Sequence, residues 1–228
     1  MVAGYGETVV LDGISFDVAA GDTLAILGRN GVGKTTLLIT LMGLTTHHQG
    51  TIRLGGREIE KIATHKRVHA GLGYVPQERE IFPSLTTEEN LEVSLISGGW
   101  TLDDVYELFP ILRARRSNGG NQLSGGEQQM LAVGRALVGA PQVLLLDEPM
   151  EGLAPIVIED LFNALARIRD ESGLTILLVE QRVDLALSFT NNALILDRGR
   201  IVYEGTSSEL MKDEETQHRL LGVGGDQE

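Results

Sequence analysis

The chain has 228 residues, of which 42% are hydrophobic, carries a formal net charge of −13 and contains no cysteine. Disulfides and thiolate metal sites are therefore excluded, and the acidic balance opposes binding to a phosphate backbone. No apolar run reaches the ~18 residues that a membrane span needs, so any membrane role must come through a partner.

The first six residues, Met1 to Gly6, lack the basic segment and apolar run of a signal peptide, and a cytosolic protein is expected. Alternating apolar residues at Ile14, Phe16 and Val18 predict a strand before the turn at Ala20-Gly21-Asp22. Leu24 to Leu27 reads as a buried strand. A glycine-rich loop, Gly28 to Gly33, follows and opens a helix from Lys34 to Leu41 that ends near Gly43. Thr51 to Leu54 with Gly55-Gly56 predicts a hairpin. Leu72 to Val75 is a further short strand, ending at Pro76-Gln77.

From Glu78 to Gly139 the pattern changes to helices and loops. Thr87-Glu88-Glu89-Asn90 and Thr101-Leu102-Asp103-Asp104 each open a helix with a capping residue and early acids. The α/β pattern then resumes. Strands at Val143–Leu146, Thr175–Glu180 and Ala193–Leu196 alternate with helices at Ile156–Arg169 and Val183–Phe189. Such alternation implies a largely parallel sheet. The residues after about Lys212 are expected to be loosely ordered.

Gly28-Arg29-Asn30-Gly31-Val32-Gly33-Lys34-Thr35 is a complete phosphate-binding P-loop pattern. Its glycines let backbone N–H groups turn inward toward phosphate oxygens, and the helix N-terminus adds a positive dipole. Lys34 would reach the β- and γ-phosphates, and the Thr35 hydroxyl would ligate Mg²⁺. Val143-Leu144-Leu145-Leu146-Asp147-Glu148 supplies the second strand end that such a protein needs. Asp147 is the candidate to hold the metal and Glu148 the candidate general base. Leu123-Ser124-Gly125-Gly126-Glu127-Gln128 contains a capping box, Ser124 with Glu127. A capping box does not require two glycines, which cost roughly 1 kcal/mol each inside a helix. Their presence fits a second helix end that a phosphate approaches closely, so that one ATP could lie between two such chains.

The P-loop, Gln77 after a strand, Leu123-Ser124-Gly125-Gly126-Glu127-Gln128 and Leu146-Asp147-Glu148-Pro149 occur in the order of ABC transporter ATPases, which the whole chain resembles. The resemblance implies an α/β P-loop NTPase of the ABC ATPase type. Its central sheet would be mainly parallel, with an N-terminal antiparallel β part and an inserted helical lobe. Residues 1–77 and 140–212 would form the core, 78–139 the helical lobe and 213–228 the tail. It implies Tyr5 as the aromatic that stacks on adenine. It places Gln77 near Mg²⁺ and the membrane partner, with a part in catalysis. Ser124, Gly125, Gly126 and Glu127 would meet the ATP of an opposite subunit, while Gly28, Asn30, Gly31, Val32, Gly33, Lys34, Thr35 and Thr36 would bind the chain's own ATP. The metal set would be Thr35, Gln77 and Asp147.

A closer resemblance rests on Glu127-Gln128-Gln129-Met130-Leu131-Ala132, Glu151-Gly152-Leu153-Ala154-Pro155 and Val179-Glu180-Gln181. These look like an ATPase of branched-chain amino-acid importers, of the LivF type. Gly73-Tyr74-Val75-Pro76-Gln77 and Arg79-Glu80-Ile81-Phe82-Pro83 are shared with urea importers, and the motifs do not separate the two substrates. The implied partners are a second ABC ATPase (a different chain), two transmembrane permeases and, indirectly, a periplasmic or extracellular solute receptor. The implied place is the cytoplasmic face of the inner membrane, and no nucleic acid is expected. A soluble non-transport ABC ATPase, and a regulatory module that binds ATP without hydrolysis, are the readings from other classes.

Two positions depart from the family pattern. Gln181 stands where most members carry a histidine, and Ala154 where they carry the D-loop aspartate. A glutamine amide donates a hydrogen bond but carries no charge at neutral pH. In a heterodimer the two ATP sites would then be unequal. The family also has one more strand before its stacking aromatic. With Tyr5 so near the start, that strand is expected to be absent or trimmed.

Overall fold

In the computed structural model, which describes residues 1–222, the chain opens on strands that pair only with one another. These are β1 (Val2–Tyr5), β2 (Thr8–Leu11) and, after the P-loop helix, β4 (Thr46–Gln49), in the antiparallel order β2-β1-β4. A strand therefore does precede the aromatic at Tyr5, since β1 ends on that residue. The strand expected around Ile14, Phe16 and Val18 does not form. Ile14 is buried, but among the described residues its backbone pairs with Met1: its N–H donates to Met1 O at 3.0 Å and its carbonyl accepts from the terminal amine at 2.6 Å. Alternation gives a ladder only where a neighbouring strand supplies one.

Between these strands lie β3 (Thr23–Leu27), buried at every residue, and α1 (Lys34–Met42), which stops at Gly43 in the left-handed conformation. β5 (Arg53–Leu54) and β6 (Arg57–Glu58) form the expected hairpin. Its two turn residues, Gly55 and Gly56, have φ of 55° and 79°, as a tight two-residue turn requires. α2 (Thr64–His69) brings in Arg67, which is only 2% exposed. Its guanidinium donates to Thr40 O (2.9 Å), Leu41 O (2.7 Å), Glu60 O (2.9 Å) and Ile62 O (3.1 Å). The last turn of α1 thus has a buried cation as its cap, which satisfies carbonyls that a helix end leaves open.

Two compact units make up the chain. Residues 71–174 form one; residues 1–70 and those from 175 onward form the other. The first begins with β7 (Leu72–Val75), followed by α3 (Thr87–Glu92), α4 (Leu102–Leu108), α5 (Pro110–Ala114), a 3₁₀ turn at Gly120–Gln122 and α6 (Gly125–Leu137). Then come β8 (Val143–Asp147), parallel to β7, and α7 (Pro155–Ser172). α3, α4 and α6 all start on full capping boxes: Thr86 with Glu89, Thr101 with Asp104, and Ser124 with Glu127. The apolar side chains Leu91, Val105, Leu112, Leu131 and Leu137 fill the helical part.

The other unit resumes with β9 (Thr175–Val179), α8 (Val183–Phe189), β10 (Asn192–Asp197) and β11 (Arg200–Thr206). Its main sheet runs β11-β10-β3-β9, with β10, β3 and β9 parallel and β11 antiparallel to β10. α9 (Ser207–Lys212) follows, and the tail expected to be loosely ordered after Lys212 is instead helical in α10 (Glu214–Leu221). Thr206 and Asp213 cap these helices by accepting from Glu209 N and Thr216 N, so local capping overrides their polar composition. Residues 223–228 of that expectation lie outside the described residues.

Candidate functional site

The parallel register of β3 sets the first group of candidate residues. Strand β3 ends at Leu27, and the chain turns through Gly28, Gly31 and Gly33 with φ of 145°, 79° and 111°. A Cβ at Gly28 would collide with the Leu196 carbonyl, so only glycine lets the loop leave the sheet here. Gly33 is the N-cap of α1 and provides no side-chain cap for the first turn. Lys34, 5% exposed, folds back so that Nζ donates to Gly28 O (2.9 Å) and Arg29 O (3.2 Å). This posture holds the ammonium inside the curl of the loop. Asn30, Gly31 and Thr35 are exposed, while Thr36 is buried and its Oγ1 lies 3.5 Å from the Tyr5 hydroxyl. The half-exposed Tyr5 ring therefore stands beside the start of α1, where a flat base could stack on it.

Two supports of this loop had no signal in the sequence. Gly199, in the turn between β10 and β11, donates its N–H to Val32 O at 3.0 Å. Arg67 holds the far end of α1, as described above. In the same unit, Ile26 lies opposite Val179, so Gln181 leaves β9 at the edge where Gly28 leaves β3. The Glu180 carboxylate accepts from Gln181 N (2.9 Å) and Arg182 N (3.4 Å) and fixes this loop, with the Gln181 side chain exposed.

A second group of candidate residues belongs to the unit of residues 71–174. Val75 lies opposite Leu146, so Gln77 and the pair Asp147-Glu148 emerge at one edge. Gln77 Nε2 donates to the Glu151 carboxylate, and the Tyr74 hydroxyl donates to Asp147 Oδ2 at 3.2 Å. Asp147 is fully buried and Glu148 is 7% exposed. Glu148 also has φ of 46°, a conformation that costs a non-glycine residue roughly 1–3 kcal/mol and that clusters at functional sites. Among the described residues no group of three His, Asp or Glu side chains could hold a metal by itself. Mg²⁺ takes one or two protein oxygens and completes its shell with water and phosphate, and the buried Asp147 carboxylate is a donor of that kind.

Ser124 caps α6: its Oγ accepts from Glu127 N at 3.3 Å, and Glu127 Oε2 accepts from Ser124 N at 2.7 Å. Glu127 Oε1 accepts from Arg115 Nε at 3.3 Å. Burial pushes the Glu127 carboxyl up, but the Ser124 donors and Arg115 outweigh it and hold the group below the usual carboxylate range. Both glycines also have neighbours within their own unit. A Cβ at Gly126 would strike the Val157 side chain of α7, and one at Gly125 would come to 3.4 Å from the Arg79 guanidinium. Ala154 is the exposed N-cap of α7 and offers no side-chain cap. The structure thus brings Tyr5, residues 28–36 and Gln181 together in one unit. Gln77, residues 124–127, Asp147, Glu148 and Ala154 lie in the other.

Residues 11–151 match the family model described as ABC transporter. The chain is 39% identical over 226 residues to the probable branched-chain amino acid transport ATP-binding protein LivF of Archaeoglobus fulgidus, covering 97% of this chain and 96% of that one. It is also 39% identical over 227 residues to the high-affinity branched-chain amino acid transport ATP-binding protein BraG of Pseudomonas aeruginosa, covering 96% and 95%. With the lipopolysaccharide export system ATP-binding protein LptB of Haemophilus influenzae it shares 34% over 230 residues, covering 97% and 95%. Among solved structures, a nucleotide-free ATP-binding cassette from an ABC transporter superposes with a TM-score of 0.82 at 25% identity, over 98% of this chain and 97% of that one.

Proposed function

Because the chain belongs to the ABC transporter family of ATP-binding proteins, and is an ATPase that binds ATP with Mg²⁺, we propose that it powers an importer of branched-chain amino acids. The observation that carries this reading is the 39% identity, over nearly the whole chain, to two ATP-binding proteins of branched-chain amino acid transport. No helix among the described residues is long and apolar enough to cross a membrane. Transmembrane permeases would supply the path, and a solute receptor outside the membrane would supply selectivity. The chain would sit on the cytoplasmic face of the membrane, paired with a second, different ATPase.

The geometry and the family resemblance support these roles. Gly28, Asn30, Gly31, Val32, Gly33, Lys34, Thr35 and Thr36 bind the triphosphate through loop amides, the helix start and the ammonium. Tyr5 stacks on the base. Thr35, Gln77 and Asp147 hold Mg²⁺, which when bound neutralises phosphate charge. Glu148 takes the proton of the attacking water. Gln77, tied to Glu151, links this edge to the permease side. Ser124, Gly125, Gly126 and Glu127 form the face that closes on the second subunit's nucleotide. The helical lobe of this working unit is residues 78–139.

Gln181 orients the water's surroundings by hydrogen bonding alone. Replacing it by His is expected to change turnover of the assembled transporter by less than about tenfold, since no proton transfer passes through it. A far larger change in steady-state phosphate release would assign it a proton-carrying role.

The similarity to LptB supports a second reading, in which the chain powers export; a urea or amide importer is the alternative within uptake. The deciding experiment extracts the tagged Glu148→Gln variant from native membranes with Mg·ATP and identifies what co-purifies. Uptake of labelled leucine and labelled urea is then compared in cells with and without the chain. Two permeases, a second ATPase and loss of leucine uptake alone support the proposal. Loss of urea uptake, or recovery with export components, replaces its substrate or its direction.

A further inference from the structure

Among the described residues, donors without acceptors gather where the segment after Gln77 meets α6. Arg79 and Glu80 both adopt left-handed backbone, with φ of 64° and 46°. Two adjacent non-glycine residues in that region are costly and persist only where their surroundings over-determine them. Three contacts do so here. Arg79 Nε donates to Gln129 Oε1 at 3.2 Å, Arg135 donates to Arg79 O at 3.2 Å, and the Arg135 guanidinium stacks 5.2 Å from the centre of the Phe82 ring.

Docking through Nε and Gln129 leaves the two terminal nitrogens of Arg79 with no acceptor among the described residues. They lie against Gly125, where a Cβ would come to 3.4 Å. Gln129 is 2% exposed and its Nε2 has no partner among the described residues; Arg135 has a buried Nη1 in the same condition. Helical side chains lean back toward the helix start, so the Gln129 amide lies on the Gly125 side of α6, against Arg79. The nearby carboxylates do not fill the gap. Glu127 is occupied by Ser124 and Arg115, and Glu80 acts on Arg135 at a distance. All the orphaned groups in this cluster are donors. Burial without a partner costs free energy at Gln129 Nε2 and Arg135 Nη1, whereas the partly exposed Arg79 fork is within reach of an incoming anion.

We propose that Arg79 is a further phosphate-binding residue, one that grips the terminal phosphate of the nucleotide a second subunit presents to the start of α6. This rests on the reading of Ser124 to Glu127 given under Proposed function. The planar fork of Arg79, anchored by Nε, offers two parallel N–H groups to two phosphate oxygens. The fork lies in van der Waals reach of the helix start, its nearest nitrogen 3.4 Å from where a Cβ of Gly125 would stand. The left-handed turn after Pro76 is what brings the fork there.

The test uses the assembled transporter with its permeases, and in parallel the isolated chain. In the assembly, Arg79→Gln is expected to raise the KM for ATP about tenfold while kcat changes less than about threefold, since a charge-assisted pair is lost from binding. Arg79→Lys should recover at least half of the lost kcat/KM. The isolated chain should bind a fluorescent ATP analogue as before, because its own P-loop is untouched. Ser124→Arg, which blocks the start of α6, serves as the control. An inactive Ser124→Arg with an Arg79→Gln assembly inside twofold of wild type overturns the role of Arg79 and leaves the signature reading intact. Activity in both variants removes the signature reading and the proposal with it. Equal losses in Arg79→Gln and Arg79→Lys, carried by kcat, would make the residue a structural strut and also overturn the proposal. Should Arg79→Gln not fold, Gln129→Met frees the anchor and keeps the guanidinium; a KM raised about threefold supports the proposal, and an unchanged KM rejects it.

Discussion

Changing Glu148 to Gln is expected to lower steady-state ATP hydrolysis by at least about a hundredfold, while ATP still binds with near wild-type affinity. The change alters one atom and removes the proton acceptor, and a positioned general base contributes about 10²–10⁴-fold. Shape, volume and backbone demand stay the same. That matters here because Glu148 is buried and held at φ of 46°, where a bulkier or β-branched replacement would confuse a chemical loss with a strained fold. Phosphate release from the assembled transporter, set beside titration of the isolated chain with ATP, measures the two quantities. Turnover within tenfold of wild type would move the base to another residue and leave Glu148 as a ligand or a strut.

Lys34→Ala carries the second large effect, on binding instead of chemistry. The ammonium sits inside the phosphate loop, bonded to Gly28 O and Arg29 O, and can exchange those carbonyls for phosphate oxygens without a rotation of the helix. Hydrogen bonds to charged groups are worth ~1.5–3 kcal/mol each, and two of them correspond to a loss of about a hundredfold or more in affinity. Calorimetric titration with Mg·ATP reads this directly, and circular dichroism checks that α1 survives. An affinity within threefold of wild type would mean that the loop amides and helix start bind the triphosphate without the lysine.

The P-loop, the Asp147-Glu148 strand end and the Ser124-Glu127 cap were legible because each couples a residue pattern to a local conformation that few other patterns satisfy. The buried strands β3, β8, β9 and β10 were legible for a simpler reason, being short continuous apolar runs between turn residues. The individual strands of the three-stranded antiparallel sheet were not, although the family resemblance implied an N-terminal antiparallel part. Its strands have four residues each, and β4 reads Thr46-His47-His48-Gln49, so it is held by backbone pairing that composition does not reveal. Helix α2 was missed for the same kind of reason: Arg67, which looks like a surface cation, is its buried residue and works as a cap for another helix. At the site, the motifs gave the residues but not their supports. Nothing local in the sequence says that Gly199 pins Val32, or that Arg79 and Gln129 meet across fifty positions.

Gly126 is pressed against Val157, so α6 and α7 are keyed together by a missing side chain on one helix and a branched one on the other. In genetic terms this makes the two positions a matched pair. Cells disabled by Gly126→Ala, plated under selection for transport, should yield revertants in which Val157 has become alanine or glycine. Such a trade of volume would mark how much of the lesion is steric, and the two substitutions would be inherited as a compatible set.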